Sequence, residues 1–284
     1  MLNSDPNTIV STTWLAAHFD DPNLRIIDAS WYMPNSNRDA KAEFLSSHIP
    51  TAQFVDIDVL SDVNSDLPHM LPKADQFAEH MQKIGVGDGH QVVIYDGAGV
   101  FSAPRLWWMF RYFGQNNVAV LDGGLPKWLS EKRPVTSKCG LKRSSSMTVT
   151  IKPDLLRNVT EVASSSKLGD HQILDARSAP RFKGEAPEPR QGLRSGHIPN
   201  SYNLPFGDIL APDGTFKNPG ELRQIFQAVG VNLSKPVITT CGSGVTAAIL
   251  SLALERIGAK HALYDGSWAE WGMYGDLDVA TGDA

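Results

Sequence analysis

The sequence predicts an α/β protein made of two tandem copies of one unit, each a mainly parallel sheet flanked by helices. Three observations carry this. Short β-branched apolar runs alternate with segments of helical period. Four landmarks recur in the same order in both halves. A Ser- and Lys-rich stretch separates them.

The first half opens its sheet with Leu24-Arg25-Ile26-Ile27-Asp28, a buried strand ending in Asp. The second half repeats it as Gln172-Ile173-Leu174-Asp175. His48-Ile49-Pro50 follows the first strand by 20 residues and His197-Ile198-Pro199 follows the second by 22. Amphipathic helices are expected over 76–84 and 222–229. Then comes Val92-Val93-Ile94-Tyr95-Asp96-Gly97-Ala98-Gly99-Val100, matched by Val237-Ile238-Thr239-Thr240-Cys241-Gly242-Ser243-Gly244-Val245. Apolar helices follow at 104–113 and 247–257. Val120-Leu121-Asp122-Gly123-Gly124 closes the first set and Leu263-Tyr264-Asp265-Gly266-Ser267 the second, with Trp128, and Trp268 and Trp271, just beyond. The landmarks are offset by 143 to 149 residues, too regular for coincidence. The expected organisation is an N-terminal unit over 1–135, a linker over 136–155 and a C-terminal unit over 156–284.

Composition narrows the function. Of 284 residues, 42% are hydrophobic and 20% charged, as in ordinary globular proteins. A net charge of −5 argues against a nucleic-acid groove. No basic block suggests an anionic membrane surface, and no run approaches the ~20 apolar residues of a membrane span. The segment 1–6 lacks a basic region followed by an apolar one, so a cytoplasmic protein is expected. The only cysteines are Cys139 and Cys241, too few for a disulfide scaffold. Neither CxxC nor HExxH occurs, so no metal or other cofactor is expected.

Cys241 is the residue that carries chemistry. It ends a β-branched strand and opens a loop of small residues, Gly242-Ser243-Gly244-Val245-Thr246, ahead of a helix. Converging loop amides and the positive end of that helix favour a negative sulfur, as a nucleophilic cysteine needs. The glycines suit a loop that turns its N–H groups inward at strained backbone angles. The matching position in the first half is Asp96, which has no thiol. Cys139 reads as an incidental thiol in the linker. His48, His197, Asp28 and Asp175 occur in both copies, including the one without a cysteine, so a structural role fits them best.

Together these landmarks resemble the rhodanese family of sulfurtransferases in its tandem two-domain form, over roughly residues 14–271. Further matching stretches are 192–199, Tyr264-Asp265-Gly266-Ser267-Trp268 and Ser102-Ala103-Pro104-Arg105. The Cys241 loop resembles that of the branch using 3-mercaptopyruvate. The thiosulfate branch carries basic residues where this chain has Gly242 and Ser243. The resemblance implies that Cys241 becomes a persulfide, held by Gly242, Ser243, Gly244, Val245 and Thr246. It implies that Arg181 and Arg190 hold the carboxylate and ketone of the donor, and that the N-terminal copy is catalytically silent. It also implies that Ser243 relays a proton, supported by Asp58 and His69. The alternative is that His69 orders its own loop and Asp58 caps a helix. Arg177 and Arg194 are read as structural ion-pair partners. The implied partners are the small-molecule donor 3-mercaptopyruvate and an acceptor thiol, thioredoxin among the candidates, or cyanide.

Three rival readings fit these residues less well. A cysteine phosphatase needs Cys-x5-Arg, and the sixth residue after Cys241 is Ala247. Thiosulfate, a compact dianion, favours cations beside the nucleophile, and Gly242 and Ser243 are neutral. A non-catalytic persulfide carrier has no use for the pair Arg181 and Arg190.

Overall fold

The computed structural model describes residues 5–138, 140 and 145–283; Cys139 lies outside the described residues. The chain divides into two compact units. Unit 1 takes the chain up to Val63, Leu71–Lys152 and Pro212–Phe216. Unit 2 takes Asn64–Met70, Pro153–Ala211 and Lys217 onwards.

Unit 1 runs β1 (Ile9–Val10), α1 (Thr12–Ala17), β2 (Leu24–Asp28), α2 (Ala40–Ser46), β3 (Gln53–Phe54), α3 (Ile57–Leu60), α4 (Ala74–Lys83), β4 (Gln91–Tyr95), α5 (Ala103–Tyr112), β5 (Val118–Leu121) and α6 (Gly124–Ser130). Its five-stranded sheet has the order β1-β5-β4-β2-β3, and every strand pair is parallel. β5 is buried along its whole length and β4 along all but its first residue, because helices cover both faces of the sheet. Val10, Ile26, Val93, Tyr95, Leu121 and Trp128 share one side of this core.

Unit 2 repeats the plan with β6 (Leu156–Arg157), α7 (Val159–Leu168), β7 (Gln172–Asp175), α8 (Ala179–Lys183), β8 (Ser201–Asn203), α9 (Pro219–Ala228), β9 (Val237–Thr240), α10 (Ala247–Arg256), β10 (His261–Tyr264) and α11 (Ser267–Trp271). Its parallel sheet has the order β6-β10-β9-β7-β8, the same permutation as in unit 1. Local chemistry sets the helix starts. Asn158 with Glu161, and Asn218 with Glu221, form capping boxes, and Pro219 pre-sets the first turn of α9. The Ala- and Leu-rich α10 is buried from Ala247 to Leu254 and packs on β9 and β10.

The two-copy architecture matches the sequence expectation, and the structure extends it. In unit 1, Thr136 and His48 exchange backbone hydrogen bonds of 2.9 Å each way. In unit 2, His197 and Ala280 do the same at 2.8 and 3.0 Å. Each copy thus returns its C-terminal tail to the His-Ile-Pro segment. The stretch 145–152 is laid along unit 1. Asp88 accepts the N–H and hydroxyl of Thr148, and the N–H groups of Thr150 and Lys152 reach the carbonyls of Phe113 and Tyr112.

Candidate active site

In open parallel sheets the strand C-termini and the following helix N-termini surround the site where ligands bind. β9 delivers Cys241 to that end of unit 2, where it is 2% exposed. No side chain caps α10, so the positive end of its dipole adjoins the cysteine loop. The loop is fixed from outside. Trp268 N–H reaches the Cys241 carbonyl at 2.9 Å and Ala269 N–H reaches that of Gly242 at 2.8 Å. The Cys241 N–H donates to Ser267 Oγ at 3.2 Å, and that hydroxyl donates to the Tyr264 carbonyl.

Ser267 makes these contacts at φ 51°, a left-handed conformation a side chain rarely adopts. Unit 1 has Gly124 there at φ 56°. The sequence reading assigned Ser267 no role. The signal was the change from Gly124 to Ser267 between otherwise matching segments.

The two loop glycines have different reasons. Gly244 sits at φ 77° and needs the freedom of glycine. Gly242 is not in a left-handed conformation, which corrects the expectation of strain there. Its constraint is space, since a Cβ on it would lie 3.0 Å from Arg181 Nη2.

That contact sets Arg181 against the cysteine loop. Arg181 lies on α8, with Nε 3.2 Å from Glu188 Oε1 and Nη2 2.5 Å from Glu188 Oε2. Its Nη1 makes no hydrogen bond among the described residues. Glu188, whose side chain is 1% exposed, also accepts from Arg177 Nη1 at 2.8 Å. Arg177 turns its Nε and Nη2 to Asp175, donates to the Gly196 carbonyl and lies over the Trp268 ring. Arg177 is therefore an ion-pair residue, as expected; its neighbouring carboxylates push its pKa up despite burial. Arg194 is not an ion-pair residue. Its guanidinium donates to the backbone carbonyls of Gly272, Leu277 and Trp271, because the chain around α11 leaves those acceptors free.

Arg190 Nη2 lies 3.3 Å from His69 Nε2. A guanidinium only donates, so His69 Nε2 is the acceptor in this contact. His69 is buried and holds φ 62°. The sequence reading did not foresee this pairing across 121 positions. Ser243 is 7% exposed, and its hydroxyl makes no hydrogen bond among the described residues. Asp58 lies in unit 1, in the first turn of α3, where it accepts from Trp31 Nε1 at 2.8 Å. The cap of α3 is Asp56 rather than Asp58, because Asp56 precedes the helix with extended backbone and its carboxylate accepts the Asp58 N–H at 2.9 Å. Val245 and Thr246 complete the loop, Thr246 as the N-cap residue of α10.

Unit 1 supplies an internal control for the loop. The Asp96 carboxylate accepts the N–H groups of Ala98, Phe101, Ser102 and Ala103 at 2.8 to 3.0 Å. A loop of this design at a helix start therefore gathers amides around a negative group. The shared histidines behave alike. His48 stacks on Phe44 and bonds its carbonyl, and His197 does so with Phe182. Burial lowers the pKa of His197, favouring the neutral ring. Asp175 binds Arg177, whereas Asp28 has Ser30 in that place and burial raises its pKa to about 6. No group of three His, Cys, Asp or Glu among the described residues is arranged to hold a metal.

The model of the rhodanese-like domain matches residues 11–131 and again 158–274. The chain belongs to the rhodanese family. It is 43% identical over 272 residues to human 3-mercaptopyruvate sulfurtransferase, covering 93% of this chain and 92% of that one. It is also 43% identical over 271 residues to bovine thiosulfate sulfurtransferase, covering 93% and 91%. The crystal structure of SseA from Escherichia coli, described as showing the rhodanese fold of 3-mercaptopyruvate sulfotransferases, superposes with a TM-score of 0.84 at 41% identity. That match covers 92% of this chain and 98% of SseA. Rhodanese relatives named for two different donors are thus equally similar, so local chemistry has to separate them. No helix of this rhodanese among the described residues is long and apolar enough to cross a membrane.

Proposed function

We propose that the protein is a sulfurtransferase that takes sulfur from 3-mercaptopyruvate onto Cys241 and passes it to a thiol or to cyanide. The observation that carries the donor assignment is the neutral pair Gly242 and Ser243 after the nucleophile, with the Arg181 guanidinium packed against Gly242. A planar α-keto acid suits a guanidinium fork.

The Cys241 thiolate attacks the donor sulfur and forms an S–S bond. The donor C–S bond breaks, and its electron pair goes to the carbon skeleton as pyruvate enolate. The donor thiol proton moves to that carbon and completes pyruvate. Ser243, whose hydroxyl makes no hydrogen bond among the described residues, relays this proton, with His69 as its support. Arg181 and Arg190 hold the carboxylate and the keto oxygen, donating directed hydrogen bonds to the oxygen on which the enolate develops. The loop from Gly242 to Thr246 then holds the outer sulfur, as the Asp96 loop holds its carboxylate. An acceptor thiolate attacks that sulfur and the Cys241 thiolate leaves; cyanide leaves as thiocyanate. Unit 1 is the catalytically silent copy. A reducing cytosol, with thioredoxin as acceptor thiol, is the setting this chemistry suits; a relative from Arabidopsis thaliana is named as mitochondrial.

The test compares kcat/KM for 3-mercaptopyruvate and thiosulfate, with cyanide or a dithiol as acceptor. A strong preference for mercaptopyruvate supports the reading. A preference for thiosulfate overturns the donor assignment while leaving Cys241 as nucleophile. Persulfide uptake without turnover of either donor would make the protein a carrier.

A further inference from the structure

We infer that Glu188 sets the donor preference of this site: its carboxylate both aims the Arg181 guanidinium at the Cys241 loop and cancels its charge there. This deepens the proposed function and rests on it for the identity of the donors.

Glu188 lies in a loop between α8 and Gly192, yet its side chain is almost completely buried. A buried carboxylate has to be paired. It is paired twice, to Arg177 and to Arg181. Arg177 is itself anchored by Asp175, by the Gly196 carbonyl and by the Trp268 ring. Trp268 in turn bonds the Cys241 carbonyl. Glu188 is therefore a rigid post, fixed from behind by a residue tied to the same elements as the nucleophile.

From that post it grips the Nε and Nη2 edge of Arg181. The gripped guanidinium rests against Gly242 with Nη1 left over. One edge is spent on Glu188, and the other remains for a ligand. That arrangement orients a planar monoanion, and Arg177 and Arg181 together add little net charge because Asp175 and Glu188 balance them. A compact dianion gains more from uncompensated charge than a keto acid does, so the pairing penalises thiosulfate selectively. Sequence reading stops at a neutral Gly242-Ser243 pair. The structure adds that the nearby arginine is electrically muted as well.

The test uses Glu188→Gln, which keeps shape and one acceptor but removes the charge, and Glu188→Asp, which keeps the charge and shortens the reach. Arg177 keeps Asp175 in both. For Glu188→Gln, the ratio of thiosulfate to mercaptopyruvate kcat/KM should rise about tenfold or more, chiefly through a higher KM for mercaptopyruvate. Without any donor, the rate at which Cys241 reacts with anionic iodoacetate relative to neutral iodoacetamide should rise. Glu188→Asp should restore the alkylation ratio and only part of the KM. In an Arg181→Gln background, Glu188→Gln should shift neither ratio further, because Glu188 acts through Arg181. Equal losses for both donors with an unchanged alkylation ratio would reduce Glu188 to a structural residue. A shift that persists without Arg181 would also overturn the inference. Because the alkylation ratio needs no donor, it separates failure here from failure of the proposed donor.

Discussion

Replacing Asp28 with Asn should make unit 1 more stable at neutral pH and flatten its acid dependence. Asp28 ends β2, is 2% exposed, and faces Ser30 where the second copy has an arginine. Burial is the largest influence on its carboxyl; hydrogen bonds from Ser30 and Tyr95 only partly oppose it, and Asp96 adds repulsion. The result is a pKa raised from 3.8 to about 6. The fold thus favours the protonated form. The stabilisation is fully present below pH 3.8 and is lost as pH rises through about 6. That rise corresponds to roughly 3 kcal/mol, so wild-type unit 1 carries about that cost at pH 7. Asn at position 28 keeps an oxygen for the Ser30 N–H and never ionises. Its advantage should approach ~3 kcal/mol at pH 7 and vanish below about pH 4. Denaturant unfolding of both proteins between pH 4 and 7.5, followed by the buried tryptophans of unit 1, measures the difference. Parallel stability curves across that range would refute the reasoning.

Four further outcomes are expected. Cys241→Ser should abolish sulfur transfer with unchanged circular dichroism; retained turnover would remove Cys241 as nucleophile. Arg190→Ala should lower kcat/KM for mercaptopyruvate roughly 10- to 100-fold, the worth of a charge-assisted contact, and affect thiosulfate much less. Equal effects on both donors would remove its assigned role. Gly242→Ala should push on Arg181 Nη2 and raise the KM for mercaptopyruvate several-fold to about tenfold, with little change in melting temperature. Asp96→Ala strands four backbone N–H groups, each costing about 1–3 kcal/mol if left unpaired, so melting should fall steeply. Per folded molecule its kcat should remain; loss of kcat in the folded fraction would contradict a silent first copy.

Much of this was written in the chain in local form. A buried parallel strand announces itself as a β-branched run, as in Val237-Ile238-Thr239-Thr240, and a following helix as an Ala- and Leu-rich stretch. The repeat doubled that signal, because every landmark could be checked against its partner. Comparison between the copies also separated His48 and His197 from the catalytic candidates, and both proved to stack on phenylalanine. The same comparison could have flagged Ser267 against Gly124.

The sequence by itself determined the two-copy α/β architecture, the strand-loop-helix around Cys241 and the neutral residues beside it. These depend on burial periodicity and on chain neighbours, which a linear string records directly. Tertiary structure alone decided that Glu188 joins Arg177 to Arg181, that Arg194 serves carbonyls rather than carboxylates, and that His69 meets Arg190. It also decided that Gly242 is needed for room rather than for its backbone freedom. Such pairings join loops whose separation in sequence is arbitrary. A charged side chain takes whichever partner the packed strands and helices bring within about 3 Å, and no local pattern encodes that choice.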